Sequence, residues 1–172
     1  MKKKYLYLTV ITGLLVAIDQ LVKLYVHTQF RLGESMTVIP NFFNITYVRN
    51  FGAAFGFLAE SHPSFREIFF LAMPPIALLI ILMILRGVKD DDTKQIFALS
   101  AIFGGAIGNY IDRLRFRYVI DFLDFHLGNR WSWPAFNIAD AAIVSGVTLL
   151  LILMFLEGKT TGKAAKKTDT IP

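Results

Sequence analysis

The sequence predicts a membrane all-α protein: four transmembrane helices with a small strand-containing lobe at the membrane surface. Three observations predict it. Of 172 residues, 55% are hydrophobic and only 18% charged, and the mean hydropathy is +0.52, more apolar than soluble domains of this length. The apolar residues gather into long runs, and about 20 consecutive residues suffice for a helix to cross a bilayer. One intervening stretch is rich instead in β-branched and aromatic residues with turn signals.

The first span is expected over Tyr5 to Tyr25. MKKK and the apolar run after it imitate a signal peptide, but no small-residue cleavage site follows and the run continues too far. Asp19 and Lys23, four apart, fall on one face of this helix, where they can pair. Either they snorkel at the interface or they belong to a polar site, because ionisable residues in a membrane helix usually face protein. Residues 27–65 form the strand-containing lobe. Phe42 to Arg49 favours a strand, and Asn50, Gly52 and Gly56 break it into a tight bend. Ser64 with Glu67 resembles a capping box opening the second span, 67–85, where Pro74-Pro75 is expected to kink the helix. The charged turn RGVKDDDTK leads to a third span over 95–111, whose Gly104 and Gly108 form a GxxxG packing face. The fourth span is expected over 136–156. Residues 1–158 thus form one membrane domain, and the basic tail 159–172 is expected to be disordered.

Composition also excludes chemistry. There is no cysteine, so disulfides, thiolate metal sites and a cysteine nucleophile are ruled out. His27, His62 and His126 lack metal-ligand spacing, so neither metal nor other cofactor is expected. The net charge of +5 comes largely from basic termini and points to anionic headgroups rather than nucleic acid.

Four spans place both termini on one side, with ten basic residues there against eight opposite. The lysines of the short termini and turn favour the cytoplasm for that side. Asp19 and Lys23, then Asn109, Asp112 and Arg113, then Asn137 and Asp140 all fall toward the other face. Asp121 and Asp124 lie in the loop between the third and fourth spans, on the same side. Asp140, at a helix start, could simply cap; capping does not explain the second carboxylate or Asn137 nearby. Ser100, Ser132 and Ser145 have no His or Lys in a recognisable setting. Close aspartates share a proton, so one can serve as base and the other as acid toward a carbonyl. A wider pair would equally fit glycoside hydrolysis, and a small transporter or another membrane hydrolase remains an alternative.

GNYIDR (ending at Arg113), VIDF (Val119 to Phe122) and FNIADAAI (Phe136 to Ile143) resemble the hallmark segments of bacterial lipoprotein signal peptidase, signal peptidase II. Asp19-Gln20-x-x-Lys23 and RNFGAAFG (Arg49 to Gly56) match its other two blocks, and all five occur in order. The resemblance implies an aspartic endopeptidase in the inner membrane, with an extracytoplasmic β-sheet cradle and its site toward the outer leaflet. It implies removal of the signal peptide from diacylglyceryl-modified prolipoproteins, on the amino side of the lipidated cysteine. It makes Asp121 and Asp140 the catalytic dyad. Asp19, Lys23, Asn50, Gly52, Gly108, Asn109, Arg113 and Asn137 are implied to bind substrate or support the dyad. Asp112 and Asp124 are left outside it, with Asp112 a structural candidate. The expected partners are the lipid-modified precursor and membrane lipid, around a monomer.

Overall fold

The computed structural model describes residues 2–52, 61–128 and 131–168, with side chains as far as Glu157. The helices are α1 (Lys3–Gln29), α2 (Pro63–Gly87), α3 (Thr93–Phe116) and α4 (Ile138–Thr168), and the strands are β1 (Ser35–Ile39), β2 (Phe43–Asn50), β3 (Val119–Leu127) and β4 (Trp131–Ser132). Among the described residues, three helices are long and apolar enough to cross a membrane: α1, α2 and Ile138–Glu157 of α4. They leave large apolar side chains such as Leu14, Leu21, Ile76 and Met154 exposed, as lipid-facing helices do. α3 is the hub, packing against α1, α2 and α4; a helix surrounded by partners can carry polar side chains that lipid would reject.

Every helix overruns at least one of its expected ends. α1 and α3 each continue about one turn further at their C-termini, because amphipathic turns beyond an apolar core still satisfy their own backbone. α2 is continuous through Pro74 and Pro75. The capping box does not form: Pro63 occupies the first turn after His62, which gives no side-chain cap. Proline presets φ for that position, so Ser64 is drawn inside the helix and Glu67 pairs with Arg117 at 3.1 Å instead. Asp92 caps α3, accepting from the Gln95 N–H at 3.0 Å. α4 begins two residues later than expected and runs on to Thr168, into the stretch whose composition suggested disorder.

The helices alternate in direction. At one end Lys4, buried, donates to the Arg86 and Val88 carbonyls at 2.8 and 2.6 Å, tying the start of α1 to the end of α2. Gln95 of α3 reaches Glu157 of α4 at the same end, 3.5 Å away. Leu8, Ile81, Leu85, Ile96 and Leu99 form the core there. At the other end the four strands make an antiparallel sheet in the order β1-β2-β3-β4. Val26 of α1 packs beneath it with Tyr47, Tyr118, Ile120 and Phe122.

Only half of this sheet comes from the stretch 27–65. The passage carrying Asp121, read from sequence as a loop, is β3, the strand that joins the two halves. The reason is visible in its burial: Val119 to Phe122 are all buried, so the hydrophobic alternation of a half-exposed strand is absent. The bend assigned to Gly56, together with Phe55 and Phe57, lies outside the described residues.

Glycines set how closely α4 approaches α3. A Cβ on Gly105 would run into the Ala139 carbonyl oxygen, and one on Gly108 would sit 2.8 Å from Asp19 Oδ2 and 3.2 Å from the Ala139 Cβ. Gly104 and Gly108 do serve close helix contact, Gly104 against Thr12 and Leu15 of α1. Gly105→Ala is expected to force α4 away from α3 and shift Asp140, because the obstacle is backbone rather than a flexible side chain. A misplacement of about 1 Å can lower turnover about 10²-fold. The check is precursor cleavage alongside thermal unfolding; unchanged turnover would show that this approach is not critical.

Candidate active site

Asp121 is placed by β3 and Asp140 by the first turn of α4. Two connections bring these elements together. The Phe136 carbonyl accepts from the Phe122 and Leu123 N–H groups at 3.0 and 2.8 Å, and the Phe136 N–H donates back to the Leu123 carbonyl at 3.1 Å. This pins the residue before Asn137 to the strand that carries Asp121. Asn137 and Asp140 then form a reciprocal capping pair: the Asp140 N–H donates to Asn137 Oδ1 at 2.9 Å, and the Asn137 N–H to Asp140 Oδ2 at 3.3 Å. The capping role expected of Asp140 is real, and it occupies only one carboxylate oxygen.

Three asparagines hold the two carboxylates. Asn50 and Asn137 donate through Nδ2 to the two oxygens of Asp121, at 2.9 and 2.6 Å. Asn109 Nδ2 donates to Asp140 Oδ1 at 2.7 Å. Each amide is fixed by a second bond at its own oxygen: Asn50 Oδ1 accepts from the Gly52 N–H at 3.0 Å, Asn137 Oδ1 from Asp140, and Asn109 Oδ1 from Lys23 Nζ at 2.9 Å. An amide flip would face acceptor to acceptor, so only one orientation satisfies all partners. Asn50 pairs with Val119 in the β2–β3 ladder, two residues from Asp121, which puts it on the same face as a diagonal neighbour.

Behind the asparagines lies a buried charge cluster. Lys23 Nζ sits 2.8 Å from Asp19 Oδ2 and 3.0 Å from Asp112 Oδ2, with all three side chains at most 2% exposed. Asp19 Oδ1 also accepts from the Ala139 N–H at 3.0 Å, and Asp112 Oδ2 from the Ile120 N–H at 3.0 Å. Gln20 Nε2 donates to Asp112 Oδ1 at 2.8 Å and to the Gly108 carbonyl at 3.0 Å. The cluster therefore ties α1, α3, β3 and α4 into one frame. Arg113 donates from Nη2 to the Gly52 carbonyl at 3.1 Å, fixing the backbone after β2.

Asp121 and Asp140 both line a cavity of about 830 Å³. Asn50, Phe51, Gly52, Arg49 and Arg66 form one side of its wall; Phe125, Trp131, Trp133, Phe136 and Val144 form an apolar side. Burial, with the Asp140 carboxylate next, pushes the Asp121 carboxyl up to about 7, against the pull of its two asparagine donors. A carboxyl that titrates near neutrality inside a cavity suits proton transfer.

All ten sequence-nominated residues meet in this one region. Asp124 lies further along β3, bonded to Asn44 at 3.3 Å and 3.8 Å from His126, apart from the dyad. The apolar wall supplied by β3, β4 and α4 was not anticipated. Phe42 and Phe43 pack on Phe125 at the sheet edge, while the cavity draws on β3, β4 and α4. The two tryptophans of WSW beside a span were the available signal, as aromatic residues favour membrane interfaces. Gln20 stood in a matched block but was not nominated for the site, although it bonds Asp112 and the Gly108 carbonyl. Among the described residues, no group of three or more His, Cys, Asp or Glu is arranged to hold a metal.

The fold is that of a membrane enzyme. A bacterial membrane enzyme solved by the in meso method at 2.3 Å resolution superposes with a TM-score of 0.77 at 33% identity, covering 89% of this chain and 90% of that one. The family model described as Signal peptidase (SPase) II matches residues 11–156. The lipoprotein signal peptidase of Syntrophus aciditrophicus is 46% identical over 92% of this chain and 98% of its own. That of Geobacter metallireducens is 42% identical over 95% and 99%. The chain belongs to the signal peptidase II family and is a membrane-embedded peptidase.

Proposed function

We propose that Asp121 and Asp140 are the catalytic dyad of a prolipoprotein signal peptidase. It would cleave diacylglyceryl-modified precursors on the amino side of the lipidated cysteine. The observation that carries this reading is the pairing itself: two carboxylates from different elements, aimed into one cavity and each held by amide donors. The pair holds one proton between them. The ionised member takes a proton from water, and the resulting oxygen attacks the scissile carbonyl. The protonated member gives its proton to the carbonyl oxygen. Collapse of the tetrahedral intermediate then breaks the C–N bond, with a proton passed to the departing amine. No metal or other cofactor enters.

Asn50, Asn109 and Asn137 position the dyad; Lys23 acts through Asn109, and Asp19 and Asp112 hold Lys23. Arg113 and Gly52 present a fixed backbone edge along which an extended peptide can lie. Gly108 leaves room for Asp19. The four helices all span the inner membrane of a bacterium, residues 1–158 forming the membrane domain and 159–172 a cytoplasmic tail. Both termini are then cytoplasmic, and the sheet and cavity stand at the outer leaflet. The alternation of helix direction and the grouping of Lys4, Arg86 and Lys89 at the end away from the sheet support this orientation.

The apolar wall of Phe125, Trp131, Trp133 and Val144 is suited to hold the substrate's acyl chains while the cysteine reaches the dyad. Each buried CH₂ is worth about 0.8 kcal/mol, so the lipid dominates placement. The test compares matched precursors with and without the diacylglyceryl group, in the same detergent, by release of signal peptide from purified enzyme. The unmodified precursor is expected to lose most of its cleavage. Equal rates would overturn the lipid as recognition element.

A further inference from the structure

A second, smaller cavity of about 140 Å³ lies between the first turns of α2 and the end of α3, with room for roughly four or five waters. Among the described residues its lining includes Arg66, Arg113 and Arg117 with one carboxylate, Glu67. Among the described lining residues, guanidiniums outnumber carboxylates three to one. The arginines are held in place by their neighbours. Arg113 Cζ stands 4.7 Å from the Phe70 ring centroid and Arg66 Cζ 5.3 Å from that of Phe51; Arg117 Nε is 3.1 Å from Glu67 Oε1. The positive end of α2 adds to the same field, since Pro63 of its first turn also lines the cavity. Planar guanidinium forks converging on a small cavity match the geometry of a phosphate group.

We propose that this cavity binds the phosphate of an anionic phospholipid, apart from the peptide substrate. A lipid is favoured over a free ion by what continues from the cavity. Phe65 and Ile68 on the same end of α2 are 54% and 67% exposed, and Met73, Ile76 and Ile80 extend that apolar exposure along the helix. A phosphate seated among the arginines leaves its acyl chains this track to follow. The bound lipid braces α2 against α3 beside Phe51 and Arg66, which line both cavities. It thereby supports the segment that Arg113 fixes through Gly52.

The test uses two substitutions that break the same ion pair with opposite charge effects. Arg117→Gln removes a phosphate donor, whereas Glu67→Gln removes the carboxylate that competes for Arg117. The full chain, purified in detergent, is titrated with phosphatidylglycerol, and retained lipid is counted by native mass spectrometry. Wild type is expected to retain one lipid saturably. Arg117→Gln is expected to weaken retention about tenfold, as for one charge-assisted hydrogen bond, and Glu67→Gln to match or exceed wild type. Precursor cleavage by both variants certifies that they are folded. An equal fall in both variants would assign Arg117 to the ion pair alone and overturn the site. Equal retention of diacylglycerol, which has no phosphate, would overturn it too. Displacement of the lipid by an equal concentration of inorganic phosphate would replace the phospholipid with a free ion as occupant.

Discussion

Asp121→Asn is expected to abolish cleavage and, at the same time, to make the folded protein more stable above neutral pH. General acid–base catalysis by one positioned group is worth about 10²–10⁴-fold, and a pair sharing one proton fails with either member, so Asp140→Asn is expected to be equally inactive. The stability effect follows from the Asp121 carboxyl, pushed from its ordinary 3.8 up to about 7 by burial and then by Asp140. A folded-state value above the unfolded one means the folded chain holds the extra proton between those limits. Stability is then fully present below the lower value and is lost as pH rises through about 7. Above it the ionised group costs roughly 4 kcal/mol. A neutral amide removes that cost, but it can accept from only one of the two fixed asparagines, which takes back about 1–3 kcal/mol. The net gain is of the order of 1–3 kcal/mol at about pH 8, shrinking as the pH is lowered toward 4. Thermal unfolding at several pH values, beside precursor cleavage, reads both quantities. A destabilised Asp121→Asn at about pH 8 would contradict the burial account. The same titration bears on wild-type turnover, which is expected to fall as pH rises through about 7 and the pair loses its single proton.

Lys23→Met is expected to be the most destabilising single change in the helices. Its ammonium is the shared partner of two carboxylates, each 1% exposed. Removing one member of a buried ion pair typically costs about 3–5 kcal/mol, because the other charge is left without compensation. Asn109 also loses the bond that fixes its amide, so Asp140 loses a correctly oriented donor. Adding Asp112→Asn to Lys23→Met is expected to recover part of the stability, since one stranded charge disappears. Unfolding temperatures of the two single variants and the double variant form the measurement. Strictly additive losses would mean that Lys23 and Asp112 do not act as a unit.

The readable parts of this chain were those dictated by solvent or by short sequence spacing. Apolar runs near 20 residues announced the helices, and the Asp19–Lys23 spacing announced a contact that forms at 2.8 Å. The dyad and its supporting residues were nominated from their blocks, and the structure gathers all ten in one region. What sequence spacing did not announce was assembled by tertiary pairing. β3 hides its strand character because its first four residues are buried on both faces, and β1 is short and exposed throughout. The role of Asp112 depends on Lys23, 89 positions earlier in the chain, and on the Ile120 N–H just beyond α3. Asn137 was nominated only as a site residue; it also caps α4, through the opposite end of its amide. The cavity's apolar wall was missed because its residues come from a hairpin and a helix face, each unremarkable alone.

The bond from the Ala139 N–H to Asp19 joins residues 120 positions apart in the chain. Synthesis proceeds from α1 toward α4 at about 5–20 residues per second, so Asp19 is made about 6–24 seconds before the group it receives. By the end of that interval the chain carries its charge cluster and β3 but still lacks Asp140. The nascent peptidase is therefore inert by construction, and its proposed activity begins only when its last helix docks onto its first.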